Sequence, residues 1–165
     1  MNRIIGNIAI SILFGILARI SIMLMGSIHF RENVFSKAWK LLQTNGINST
    51  FSNVAWFGYE SLSTNVFVPF FENLFLMAIV LICQKIHKSW WLPLLPILFL
   101  SYFEHGSGLF GVLGATAFFF FYFVYFYVLQ TNMGSHTKAY IFSTFTHCFY
   151  NFTGEFLAHV YSISP

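Results

Sequence analysis

The chain contains no aspartate, and its five acidic residues are all glutamate: Glu32, Glu60, Glu72, Glu104 and Glu155. Charged residues amount to 8% of the 165, where a soluble domain carries about 25%. A water-facing surface cannot be assembled from so few. The net charge is +3 and its basic residues are dispersed, so the concentrated positive patch that nucleic-acid binding requires is missing. There are only two cysteines; Cys83 and Cys148 both sit in apolar runs and are expected to be buried thiols, since nothing in the sequence supports a disulfide between them. What is abundant is apolar: 57% hydrophobic and 21% aromatic residues, with a mean hydropathy of +0.70. The composition predicts an all-α integral membrane protein. Residues 1–64 are expected to form an N-terminal anchor followed by an interfacial stretch, and residues 65–165 a membrane core.

Five apolar segments are expected to cross the bilayer. Ile4 to Met25 is long enough for a hydrocarbon core of roughly 30 Å. It is too long for a cleaved signal peptide and lacks a clean small-residue cleavage site after it, so it reads as a retained anchor. Arg19 lies inside it and either snorkels to the nearer surface or faces the bundle and pairs with a carboxylate. Between Ser27 and Thr64, Val34, Phe35, Ala38, Leu41 and Leu42 recur at helical spacing opposite Lys37 and Lys40, with Trp39 among them. That pattern predicts a helix lying in the membrane interface, or else an ordinary loop. Asn48-Ser49-Thr50 fits a glycosylation acceptor, as does Asn151-Phe152-Thr153, although the latter would lie at membrane depth. Val66 to Cys83 is the second span. The third opens at Trp90-Trp91, ends near Glu104-His105 and carries Pro93 and Pro96 in its first turns, where proline is tolerated. Gly106-Ser107-Gly108 breaks the chain before the fourth, Leu109 to Leu129, whose small residues Gly114 and Thr116 suit close packing. Lys138 to Ser162 is the fifth. Arg3, Lys85, Lys88 and Lys138 then fall on one side and Arg31, Lys37 and Lys40 on the other, too even a split to orient the protein.

Polar groups inside such segments are expensive and call for partners. His147 and Asn151 are four residues apart, so on a helix they share a face, with Cα atoms about 6 Å apart along the axis. Glu72 is a lone carboxylate in the second span: either a protonated structural group bonded to a neighbouring helix, or a general base facing a water-filled cavity. His105 closes the third span, where an isolated histidine is ordinarily an interface residue. Counting depth along antiparallel spans brings Glu72 and His105 toward the same face, with His147 near mid-depth. A funnel open on one face would hold all four. Glu155 and His159 extend the stripe of His147 and Asn151; Glu155 either faces the bundle or meets water at the span end.

Three short motifs in this order carry a resemblance. Glu72-Asn73-Leu74-Phe75-Leu76-Met77 resembles the first motif, Glu-Glu-x-x-x-Arg, of the CAAX-protease and bacteriocin-processing (CPBP) family of glutamic-type intramembrane proteases. His105 is similar to the histidine of the second motif, Phe-x-x-x-His, and His147-Cys148-Phe149-Tyr150-Asn151 matches the third, His-x-x-x-Asn. Gly134-Ser135-His136 resembles the turn before the last span. The likeness covers roughly Val66 to Phe152. It implies an intramembrane endopeptidase without a cofactor, in which Glu72 and His105 activate water while His147 and Asn151 stabilise the oxyanion. The substrates it implies are prenylated C-termini in eukaryotes, or leader, signalling and sorting peptides in bacteria, entering from the membrane; the expected location is a bacterial plasma membrane. The chain departs from the pattern at Asn73, where the family has a second glutamate, at Met77, where it has arginine, and at Ser101, where it has phenylalanine. Asn73 and Glu155 are the candidate supporting residues.

Two other readings are open at this point. Glu72, His105 and His147 have the ligand types of a two-histidine, one-carboxylate zinc site, which would make a zinc-dependent membrane protease. The loss of the motif carboxylate and arginine instead suits a catalytically inactive relative, such as a bacteriocin-immunity factor or a scaffold.

Overall fold

The computed structural model describes residues 2–30, 63–106 and 108–162. Five helices account for almost all of them, with no strand among the described residues: α1 (Asn2–Phe30), α2 (Val68–Ile86), α3 (Trp91–Glu104), α4 (Leu109–Thr131) and α5 (His136–Ser162), a single π-helical turn at Ser63–Phe67 leading into α2. The expected interfacial helix with Trp39, and the Asn48-Ser49-Thr50 tripeptide, lie outside the described residues, as does the side chain of His159.

The helices coincide with the five expected apolar segments, but they are not equally suited to a bilayer. Ile4–Met25, Asn65–Ile86 and Leu109–Thr131 are each long and apolar enough to cross one. α3 has 14 residues, about 21 Å at 1.5 Å per residue, and falls short of the hydrocarbon thickness. Both its ends are set by the sequence: the chain is not helical until Trp91, and Gly106 and Gly108 take φ of +93° and +74°, which side chains disfavour. The Gly108 N–H donates to the Tyr102 hydroxyl at 3.1 Å and pins that turn. α5 has the length, at 27 residues; its polar stripe keeps it out of the three. The surface suits lipid, with Phe71, Phe75, Phe99, Phe103 and Phe110 each at least 60% exposed.

Burial identifies the centre. Half of the apolar window of α4 is buried, against 17% in α1 and 22% in α2. Phe121, Val124, Tyr125 and Val128 of α4 are fully enclosed and meet Leu76 and Val80 of α2, Ile97 of α3 and Ala139 of α5. Inside a membrane such contacts win by close packing, since lipid is as apolar as leucine. α1 joins the bundle through a stripe of small buried residues, Asn7, Ser11, Gly15 and Ala18, spaced to let a neighbouring backbone approach. Ser11 Oγ donates to the Phe142 carbonyl at 3.2 Å, a Cβ on Gly15 would meet Thr146 and Phe149, and Arg19 lies over Tyr150. Pairings that advance together along both helices make α1 and α5 parallel. Met25 beside Thr116 and Phe14 stacked on Phe123 make α1 antiparallel to α4. One end of the bundle therefore gathers Asn65, Glu104, His105 and Glu155, and the opposite end Lys85, Lys88 and Lys138.

Candidate functional site

A cavity of about 570 Å³ opens at the end that carries Asn65, His105 and Glu155, and its walls include Arg19, Glu72, His147 and Asn151. Glu72 lies about 10 Å further along its helix than Asn65, and His147 about 12 Å deeper than Glu155. The structure thus brings Glu72, His105, His147 and Asn151 to one funnel reaching partway into the bundle. Glu155 faces the same funnel and bonds to the Asn65 amide.

At the base, the carboxylate and the imidazole are neighbours: Glu72 Oε2 is 3.4 Å from His147 Nε2, with the Glu72 side chain 20% exposed and that of His147 5%. The carboxylate is reachable by water while the ring is enclosed. Phe121 of α4 stacks on the imidazole, centroids 4.0 Å apart and planes 21° from parallel, and Phe118 meets it edge-on. Such a ring pair is worth about 1 kcal/mol beyond its buried area, and it leaves His147 one orientation.

Asn73 then determines where the His147 proton resides. Asn73 is fully buried, so its amide must find partners inside the protein. Nδ2 is 2.9 Å from the Pro69 carbonyl and 3.0 Å from His147 Nδ1, while Oδ1 is 2.7 Å from Ser143 Oγ. A carbonyl only accepts, which puts the NH2 on the Pro69 side. Its second proton points at His147 Nδ1, which must accept. The proton of the neutral ring is consequently on Nε2 and faces Glu72. Ser143 Oγ also lies 2.9 Å from the Phe121 carbonyl, tying α2, α4 and α5 together at one buried point.

The second histidine has the opposite polarity. His105 Nδ1 is 2.9 Å from the Ser101 carbonyl, again an acceptor only, so Nδ1 donates and Nε2 of the neutral ring keeps a lone pair. The ring packs against Phe118 and against Gly114, where a Cβ would stand 2.5 Å from its Cγ. The funnel is therefore served by one imidazole with a donor at Nε2 and one with an acceptor there.

This polarity does not suit zinc. Ligation through His147 Nε2 needs a lone pair on that atom and a proton on Nδ1, which would meet the Asn73 NH2 head-on. No group of three His, Cys, Asp or Glu side chains able to hold a metal occurs among the described residues, so Glu72, His105 and His147 do not close into the ligand set their residue types suggested.

Of its two expected routes, Arg19 takes the inward one, and the partner it meets there is the Tyr150 ring. It faces the bundle, its guanidinium 5.1 Å from the Tyr150 ring centroid and in the funnel wall, because Gly154 leaves room for it: a Cβ there would stand 2.5 Å from Arg19 Cζ. Three further residues complete the site without a motif to mark them: Ser143, one turn before His147 on the same stripe, and Phe118 and Phe121, which lie in a run of four phenylalanines. Cys83 and Cys148 are free and partly buried.

No family model matches this chain, and neither the curated proteins nor the solved structures contain a match to it.

Proposed function

We propose that this protein is an intramembrane endopeptidase of the glutamic type, a divergent member of the CPBP family, which cleaves a membrane-associated, leader or sorting peptide by attack of an activated water. The observation that carries the reading is the opposed polarity of two imidazoles that line one funnel together with a water-accessible carboxylate. Peptide hydrolysis needs a base to take a proton from water, an acceptor to orient that water, and a donor for the oxyanion that forms. Glu72, His105 Nε2 and the His147 Nε2–H offer these three.

Glu72 accepts a proton from a water that also donates to His105 Nε2. The hydroxide oxygen bonds to the scissile carbonyl carbon, and the carbonyl electron pair moves to its oxygen. The His147 Nε2–H, held in place and only weakly engaged by Glu72 at 3.4 Å, donates to that oxyanion, with the Asn151 amide as a second donor. Collapse expels the amine, which takes the proton held on Glu72. Asn73 and Ser143 touch no reacting atom; they hold the His147 proton on Nε2. The enclosure by Phe118 and Phe121 keeps these dipoles in a medium where they act strongly. The peptide arrives from the bilayer; the apolar, lipid-facing exterior of the helices favours an integral membrane location, here a bacterial plasma membrane.

The test is cleavage of quenched-fluorescence peptides by the full chain in lipid nanodiscs. Glu72→Gln is expected to lower turnover by roughly 10²–10⁴-fold, the weight of a positioned base, with a chelator leaving the wild type unaffected. Chelator-sensitive turnover would instead identify a metalloenzyme, and turnover undiminished in Glu72→Gln would sink the reading.

A further inference from the structure

A second cavity, of about 610 Å³, lies between α2 and α3 and shares Glu72 and Phe118 with the funnel. Its walls are mostly apolar, with Phe75, Leu76, Ile79 and Ile97 among them, yet Glu104 and Ser101 also line it. Ser101 and Glu104 are three residues apart on α3 and so share a face; Glu72 of α2 lines the same cavity. Ser101 is 2% exposed, and its Oγ has no hydrogen-bond partner. A buried hydroxyl without a partner is costly, and this one lines a cavity together with two acids. Nothing in the catalytic scheme uses Ser101 Oγ or Glu104.

We propose that this cavity is a subsite for a primary ammonium on an apolar stem, the chemistry of a lysine side chain, with the stem along the apolar wall and the head held by Glu104 and Ser101. An ammonium carries three donors and no acceptor, matching the Glu104 carboxylate and the Ser101 hydroxyl lone pair, and leaving Glu72 free to act on water. The stem needs a wall without polar groups, which Phe75, Leu76 and Ile79 supply. Because Glu72 is common to both cavities, a residue seated here lies next to the bond that the Glu72-activated water would attack. The inference deepens the endopeptidase reading and rests on it: the substrate carries a lysine adjacent to the scissile bond.

The experiment measures binding and cleavage separately, on the full chain in lipid nanodiscs. Binding is read by saturation-transfer NMR at neutral pH, with n-hexylammonium and n-hexanol as probes and empty discs subtracted. Hexylammonium is expected to bind about tenfold more tightly than hexanol, the weight of one charge-assisted hydrogen bond. Glu104→Gln is expected to erase the difference, and Ser101→Ala to weaken hexylammonium while leaving hexanol unchanged. His147→Ala is expected to keep the preference. Equal affinities for the two probes, or a preference that survives Glu104→Gln, would overturn the subsite. Cleavage is read on paired peptides carrying lysine or norleucine beside the scissile bond. Turnover without a lysine preference overturns the subsite and leaves the peptidase standing. Ammonium binding that depends on Glu104, with no peptide cleaved, upholds the subsite and overturns the peptidase.

Discussion

Replacing Asn73 by aspartate would put an acceptor where His147 Nδ1 now meets a donor at 3.0 Å. The ring proton is then expected to move to Nδ1, leaving a lone pair on Nε2 facing Glu72. Nitrogen-15 NMR of labelled histidine reads this directly, as an exchange of the protonated and unprotonated nitrogen shifts of one residue, and peptide turnover should fall with it. An unchanged tautomer would refute the hydrogen-bond assignment. Ser143→Ala is milder: it removes one partner of a fully buried amide, for an expected loss of about 1 kcal/mol in thermal unfolding, and slows turnover without removing it. Asn73 and Ser143 also show what residue-by-residue reading of the chain reached. A polar side chain inside an apolar run announces that it needs a partner, which is why Glu72, His147 and Asn151 could be singled out. Which nitrogen carries a proton depends on carbonyls such as those of Pro69 and Ser101, and a sequence does not display where carbonyls point.

At the level of helices, the seam between α1 and α5 depends on one missing side chain. Gly154→Ala would drive a methyl into the Arg19 guanidinium; because that group ends a flexible side chain it can give way, and the expected cost is about 1 kcal/mol or less. Arg19→Met should relieve it, so the double variant is expected to melt above Gly154→Ala alone, a coupling that thermal unfolding in lipid can read. Strict additivity of the two changes would show that the close approach carries no energy. The same logic explains how much of the helical arrangement was legible. Long apolar runs and their polar punctuation placed all five helices within a few residues, because each must satisfy its backbone internally in lipid. The inward turn of Arg19 was open, since it is decided by a glycine more than a hundred positions away on a helix running parallel. The stripe of Asn7, Ser11, Gly15 and Ala18 was a signal for that seam, small residues at one-turn intervals, and it is the pattern that would have oriented α1.

Over the whole molecule, polarity is divided between the two ends. Met133, 93% exposed in the turn between α4 and α5, lies with Lys85, Lys88 and Lys138, whereas Glu104 lies at the opposite end of the bundle, where α3 ends. In a background without Cys83 and Cys148, Met133→Cys and Glu104→Cys are expected to react with a membrane-impermeant thiol reagent from opposite sides of sealed vesicles. Labelling of both from one side would contradict the passage of α4, which lies between the two positions, across the bilayer. The short α3 belongs to this scale as well. With only 14 residues it leaves its neighbours partly uncovered, and the α2–α3 space is the result. Glu72 is thereby approached by water through the polar mouth and by greasy matter through that side opening. Alkyl tails of the surfactants used to solubilise the protein have the girth and polarity to lodge in the side opening. Micellar preparations should therefore underperform nanodiscs in turnover, and lengthening the surfactant tail should change the apparent potency of any inhibitor that reaches Glu72 from the lipid.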